Sequence, residues 1–415
     1  MRTFTQVLEP EYFQQFRCIA GACPDSCCIG WDVAVDQATF ERYQYCPQPE
    51  LQELLQNHVV RNSEPVGGSG YIPYALIRLQ DGRCPFLEPD GLCRIQRQWG
   101  DEALSDTCAG FPRSYSYNAV GDILERSLCL SCPEAARLVL QEDAPLRFVS
   151  AETSITLPEN TVDSVETSTA LLPVRALVLS LLQNRCDPLW LRLLKLEQFC
   201  RRLAQLPPAE YDKKLHQFLE EFTVDIERGE LGAMLAEAAA APELQLHAVK
   251  LLLDHRLQLG QVGDPFLRHV RLFRQALGYD AGASPESAAL KYQAAYTEYY
   301  RPFLTQHAAM LENVLVNHVF QTLFPFGPQH SLQLERRGIY ENFLLLALHH
   351  AMLNTLLIGQ AAYWRRDFNR KHAAELIQSF AKTIGHNRLF LSQALGFLAA
   401  ANLNDAAGVA VLVKN

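Results

Sequence analysis

Ten of the twelve cysteines of this chain lie between Cys18 and Cys132, and residues 201–415 contain none. The densest run is Cys18, Cys23, Cys27 and Cys28, spaced C-x4-C-x3-C-C. Cys84, Cys93, Cys108 and the C-x2-C pair Cys129/Cys132 follow. Thiolates gathered by turns in this way ligate soft metals; structural disulfides and buried apolar thiols rarely crowd like this. Disulfides are the rival reading, and they need an oxidising compartment. The opening MRTFTQVLEP has one Arg and no apolar run, so a secretory signal is not expected. Adjacent Cys27 and Cys28 cannot bridge each other without a strained ring.

Of 12 histidines only His58 falls in the cysteine-rich region, which favours an all-thiolate site. A four-cysteine zinc site and an iron–sulfur cluster both satisfy that condition. Zinc sites commonly use two C-x2–4-C knuckles, whereas here one C-x2-C pair accompanies an unusual Cys27-Cys28 doublet. The nine cysteines exceed one tetrahedral site and suit one cluster with spare thiols, or two metals. Cys46, Cys186 and Cys200 stand apart and read as small core residues.

The elements that position these thiols are short. Tyr74-Ala-Leu-Ile-Arg-Leu-Gln has strand composition and ends at Asp81-Gly82, a hairpin turn signal. A second turn at Pro89-Asp90-Gly91 separates Cys84 from Cys93, so both thiols can face one point. Trp31–Asp36 alternates like a strand, and Asp36 is placed to cap a helix from Gln37 to about Tyr45. Asn62–Gly70, with Gly67-Gly68-Ser69-Gly70, reads as a flexible loop rather than a nucleotide-binding turn. Residues 1–148 therefore form an irregular cysteine-rich metal domain with short β-hairpins, and the Ser/Thr/Glu-rich stretch 149–170 a linker or surface crossover. Residues 171–415 form an all-helical domain: Ala176–Leu182, Leu189–Leu203, Leu244–Leu257, Leu290–Leu323, Phe343–Ile358 and Leu389–Leu403 repeat apolar residues at helical spacing. The fold class expected is mainly α.

A net charge of −9 and a pI near 5.8 argue against broad nucleic-acid binding and leave room for a lysine-presenting partner. No apolar run reaches about 18 residues, so no membrane span is expected and the chain reads as soluble and cytoplasmic.

The block Cys18-Ile-Ala-Gly-Ala-Cys-Pro-Asp-Ser-Cys-Cys-Ile-Gly-Trp-Asp-Val-Ala-Val-Asp36 resembles the opening motif of the flagellin lysine-N-methylase family. It is also similar to a wider superfamily of cysteine-cluster domains described as zinc or iron chelators. Cys84-Pro-Phe-Leu, Gly91-Leu-Cys-Arg-Ile, Thr107-Cys-Ala-Gly-Phe-Pro-Arg113 and Leu128-Cys-Leu-Ser-Cys-Pro133 extend the resemblance. Leu311–Phe320 and Phe324-Pro-Phe326 carry it into the helical half. The resemblance implies methyl transfer from S-adenosylmethionine to lysine side chains of flagellin and a [4Fe–4S] cluster. It offers Cys18, Cys23, Cys27, Cys28, Cys84, Cys93, Cys108, Cys129 and Cys132 as ligands. The chain lacks the C-x3-C-x2-C run of radical S-adenosylmethionine enzymes, so a polar displacement is the expected chemistry.

No Gly-rich strand-to-helix turn marks a cofactor pocket. Arg113 is a candidate for the cofactor carboxylate, or for an ion pair beside the metal. Trp31 is a packing or stacking residue, with Tyr115 beside Arg113 on the same wall. Glu312 and Glu341, which precede Asn313 and Asn342, are candidate lysine bases, with solvated helix faces as the default. His349-His350 reads as core or helix surface. The active cleft is expected between the two domains, walled by Trp31, Arg113 or Tyr115 and by the helices around Glu312–Asn317 and Tyr340–Asn342. The alternatives to a methylase are a metal-stapled adaptor or chaperone and an iron–sulfur redox sensor.

Overall fold

The computed structural model describes residues 2–64, 73–118, 122–141, 143–157, 162–164, 168–327 and 337–415. The Gly67–Gly70 loop reading lies outside them.

Turn chemistry organises the cysteine-rich part. Asp81 and Gly82 both take positive φ, 48 and 76°, and fold Gln80 back on Arg83 through paired backbone hydrogen bonds of 2.8 Å. That left-handed pair is what Asp-Gly readily adopts. The turn follows Ala75–Ile77, the central strand of a three-stranded antiparallel sheet flanked by Val33–Val35 and Val59–Arg61. Asp36 caps Gln37–Tyr43 by accepting from the Thr39 N–H at 2.8 Å. Its second oxygen accepts from the Asp106 N–H at 3.1 Å, which ties the short helix Asp106–Gly110 to the same strand.

A second sheet has five strands in the order Phe148–Leu157, Arg2–Pro10, Ile123–Leu128, Arg113–Asn118, Asp163–Ser164. Arg2–Pro10 runs parallel to Ile123–Leu128 and antiparallel to Phe148–Leu157. The stretch from 149, expected as a linker or surface crossover, begins as an edge strand. Ser150, Glu152, Ser154 and Thr156 point outward and alternate with Ala151, Thr153, Ile155 and Leu157, which are half-buried. A polar composition hid a period of two.

The rest is helical. Pro242, Pro265 and Pro285 sit in first turns, where a missing N–H costs nothing. Leu290–Leu323 is not continuous: Pro285–Ala295 passes through a π-turn at Tyr296–Tyr300 into Arg301–Gln306 and then Ala309–Gln321. Pro302 cannot donate to the preceding turn, which favours that break. Ile339–Trp364 is long and apolar enough to cross a bilayer, but its apolar window is 89% buried by the surrounding helices; it is the core helix.

The boundary expected at 148 does not divide the cores. Tyr12, Phe13, Phe16, Leu128, Leu130 and the helix Pro133–Leu140 pack into the same cluster as the helices beyond residue 168. A smaller core around Val35, Tyr43, Cys46, Leu51, Phe86 and Ile95 underlies the cysteine turns.

Candidate metal centre

Backbone pairing brings the first thiols together. The Cys84 N–H donates to the Cys28 carbonyl at 2.8 Å, and Ile29 bridges Arg83. The Cys27-Cys28 doublet is thereby laid against the hairpin that carries Cys84. Gly21 packs on the next turn, where an added Cβ would stand 2.7 Å from the Asp90 carbonyl oxygen. Gly91 meets it with φ +80°. This close backbone approach seats the Cys18–Cys23 loop on the turn between Cys84 and Cys93, and only glycine allows it.

The neighbouring Cys27 and Cys84 thiols hold the Cys28 thiol well below its ordinary range. The same neighbours interact in the other direction, and Cys28 together with burial pushes Cys27 and Cys84 up. Cys93 stands just before the helix Arg94–Trp99, and Cys108 lies in Asp106–Gly110, where its N–H donates to Ser105 Oγ at 3.3 Å. Burial raises Cys93 and pushes Cys108 up to about 12, with the nearby Cys28 adding to both. Five thiols thus centre on Cys28.

A second group adjoins it. Cys132 stands just before Pro133–Leu140; burial pushes its thiol up to about 11, with Cys23 and Cys18 adding. Cys129 behaves differently. Burial opposes its ionisation, but His386 Nε2 at 3.3 Å and Ser131 Oγ at 3.0 Å bring the thiol down to about 6. All twelve cysteines are free. Cys46 and Cys200 are buried, and Cys186 is exposed, so it is not the core residue expected.

Among the described residues no three His, Cys, Asp or Glu side chains are already assembled to hold a single metal ion. The thiols are neighbours rather than a finished shell. The chemistry of the donor set nonetheless fits a soft metal or an iron–sulfur group: each motif position supplies sulfur. The neutral members must lose protons to ligate.

The other sequence candidates separate. Trp31 borders the site: its indole N–H donates to the Cys27 carbonyl at 3.0 Å, and its ring meets Phe111 and His386 edge-on at 5.9 and 5.3 Å. Arg113 is exposed, its guanidinium 5.3 Å from the centre of the Phe16 ring. Tyr115 packs on the Phe4, Val7, Leu124 and Val162 cluster. Glu312 is neither solvated nor free: it is 1% exposed and ion-paired to Arg185 and Arg192 at 2.9 and 2.8 Å. Glu341 caps its own helix through the Gly338 N–H, and Asn342 donates to the Pro325 carbonyl. The expected cleft against Glu312–Asn317 is closed by packing. Asn313 and Asn317 bond the carbonyls of Ala144 and Leu128 at 3.0 and 3.2 Å, and Tyr12 donates to Asn317. Two surface grooves of about 480 and 350 Å³ lie elsewhere, beside Leu244 and Leu290 and beside Phe218 and Phe222, and no cysteine lines either.

Four residues at the site escaped the sequence reading: Asp25, Gln378, Lys382 and His386. Lys382 Nζ donates to Asp25 Oδ1 at 2.7 Å, and Gln378 Nε2 donates to Asp25 Oδ2 at 2.8 Å. The signal available was the four-residue spacing of Gln378, Lys382 and His386.

A free-thiol cluster backed by an all-helical body defines the class. Residues 175–412 match the FliB lysine N-methylase C-terminal domain. The chain belongs to the FliB lysine N-methylase family. It is 24% identical over 387 residues to proteins named lysine-N-methylase from Salmonella typhimurium and Salmonella choleraesuis, covering 92% of each chain. It is 33% identical over 138 residues to the flagellar biosynthetic protein FliU of Salmonella muenchen, covering 33% of this chain and 78% of that one. No solved structure matches it.

Proposed function

We propose that this chain is a protein-lysine N-methyltransferase that moves a methyl group from S-adenosylmethionine to lysine side chains of flagellin. In this reading its cysteine turns hold a [4Fe–4S] cluster, zinc being the other occupant such thiols accept. The supporting observation is similarity to proteins named lysine-N-methylase across 92% of both chains. Free thiols throughout suit the cytoplasm, where thiols stay reduced.

Cys27, Cys28, Cys84, Cys93 and Cys108 would form the main ligand set, with Cys18, Cys23, Cys129 and Cys132 beside it. When bound, the cluster supplies a redox-active Lewis acid and a constraint on the turns that carry it. Transfer forms the N–C bond as the S–C bond breaks, and the amine loses a proton. Lysine is protonated near neutrality, so the site must desolvate the amine or accept its proton before attack. Trp31 offers an aromatic face beside the thiols for a sulfonium or an ammonium.

The test is anaerobic purification, iron, sulfide and zinc analysis, and incubation with methyl-labelled S-adenosylmethionine and flagellin. Label on flagellin lysines by peptide mass spectrometry is the expected result. Iron-containing protein that transfers no label to flagellin overturns the reading.

A further inference from the structure

The helix Arg370–Phe380 continues as a π-turn, Ala381–Gly385, and together they present Gln378, Lys382 and His386 on one face. Gln378 Nε2 donates to Asp25 Oδ2 and to the Ser131 carbonyl, both at 2.8 Å. Lys382 Nζ donates to Asp25 Oδ1 at 2.7 Å and to the Ser26 carbonyl at 3.0 Å, and lies 5.1 Å from the centre of the Trp31 ring. His386 Nε2 stands 3.2 Å from Ser131 Oγ. One face thus grips two turns: Asp25–Trp31, which carries the cysteine doublet, and Cys129–Cys132. Among the described residues, no hydrogen bond runs directly from one turn to the other.

The grip is built at a cost. The Lys382 and Asp25 side chains are 12% and 10% exposed, and a charge pair taken out of water is worth keeping only with its hydrogen bonds made. Here both Asp25 oxygens are used. The π-turn is supported from behind: Thr383 O accepts from Nε of buried Arg256 at 3.0 Å, and Arg256 also holds Gly260 O at 2.8 Å. π-turns inside helices recur at functional sites because they re-aim side chains.

We propose that Gln378 and Lys382 are positioning residues of the thiol centre. The helical half sets the spacing of the two cysteine turns, so the centre is a composite of both halves rather than an autonomous N-terminal module. The proposal rests on the metal reading above for its first readout only.

The experiment compares full-length wild type with Lys382→Met, Lys382→Arg and Gln378→Leu. One readout is iron and sulfide per chain with the optical spectrum, after anaerobic purification. The other is the iodoacetamide alkylation rate of Cys27, Cys28 and Cys129 in chelator-stripped protein, mapped by mass spectrometry. Lys382→Met and Gln378→Leu should raise alkylation of Cys27 and Cys28 several-fold, with helical circular dichroism unchanged, and should lower metal content. Lys382→Arg should restore both. Wild-type alkylation rates in Lys382→Met and Gln378→Leu overturn the proposal, as does Lys382→Arg behaving like Lys382→Met. A wild type without metal counts against the metal reading alone, and alkylation still decides the positioning role. If Lys382→Met fails to fold, Gln378→Leu and Lys382→Arg carry the test.

Discussion

On the helix Ala309–Gln321, Glu312 closes on Arg185 and Arg192, while Asn313 and Asn317 close on backbone carbonyls of the N-terminal region. On the helix and π-turn Arg370–Gly385, Gln378 and Lys382 close on turns that carry cysteine thiols. Both faces join the same two halves of the chain. The first satisfies its polar groups within permanent structure, and its segment was noticed in the sequence as a possible catalytic wall. The second meets the cysteines and went unnoticed. Glu312 followed by Asn313 on an apolar helix therefore marks a buried polar joint, whereas Glu341 followed by Asn342 marks a helix start.

The first way to break the comparison is acid. His269 and His350 are buried in the helical half, and burial pushes each down to about 4 from 6.5. The unfolded chain then binds more protons than the folded one between those values. Stability must fall as pH drops from 6.5 towards 4, by up to about 1.4 kcal/mol per pH unit for each histidine. Denaturant midpoints across that range check the slope, and a flat profile contradicts it.

Next in size is Glu312→Ala, which leaves Arg192, 8% exposed, without its carboxylate. Removing one partner of a buried pair costs about 3–5 kcal/mol. Chemical denaturation should show that loss while the accessibility of Cys27 and Cys28 to alkylation stays at the wild-type level. A Glu312→Ala protein of full stability with no methyl transfer would return Glu312 to the active site.

How much of this was legible depended on whether the signal was local. The Asp81-Gly82 turn and the Asp36 cap follow from residues adjacent in sequence, and both stand where expected. The strand Arg2–Pro10 was missed because a register shift between Phe4 and Gln6 breaks its alternation. The thiol neighbourhood was legible as chemistry but not as geometry. Its joints, Gly21 against Asp90 and Lys382 against Asp25, link residues far apart in sequence.

Gly21→Ala sharpens the cysteine side. Its Cβ would meet the Asp90 carbonyl at 2.7 Å, which forces the two loops apart at about 1–3 kcal/mol. Thermal denaturation measures that cost, and faster alkylation of Cys23 and Cys93 reports the separation. Trp31→Phe is the smallest change: it removes the indole donor to the Cys27 carbonyl, worth about 1 kcal/mol. A loss much larger than that would mean that the ring contacts with His386 and Lys382 carry more than the hydrogen bond.

The central claim is that the thiols gathered on Cys28 form the metal centre. Iron and acid-labile sulfide in anaerobically purified Cys28→Ala and Cys46→Ala test it most directly. Cys46 is a buried member of the same small core, outside the cysteine blocks. The account predicts that Cys28→Ala loses iron and sulfide while Cys46→Ala keeps the wild-type content. Wild-type iron and sulfide in Cys28→Ala would contradict it.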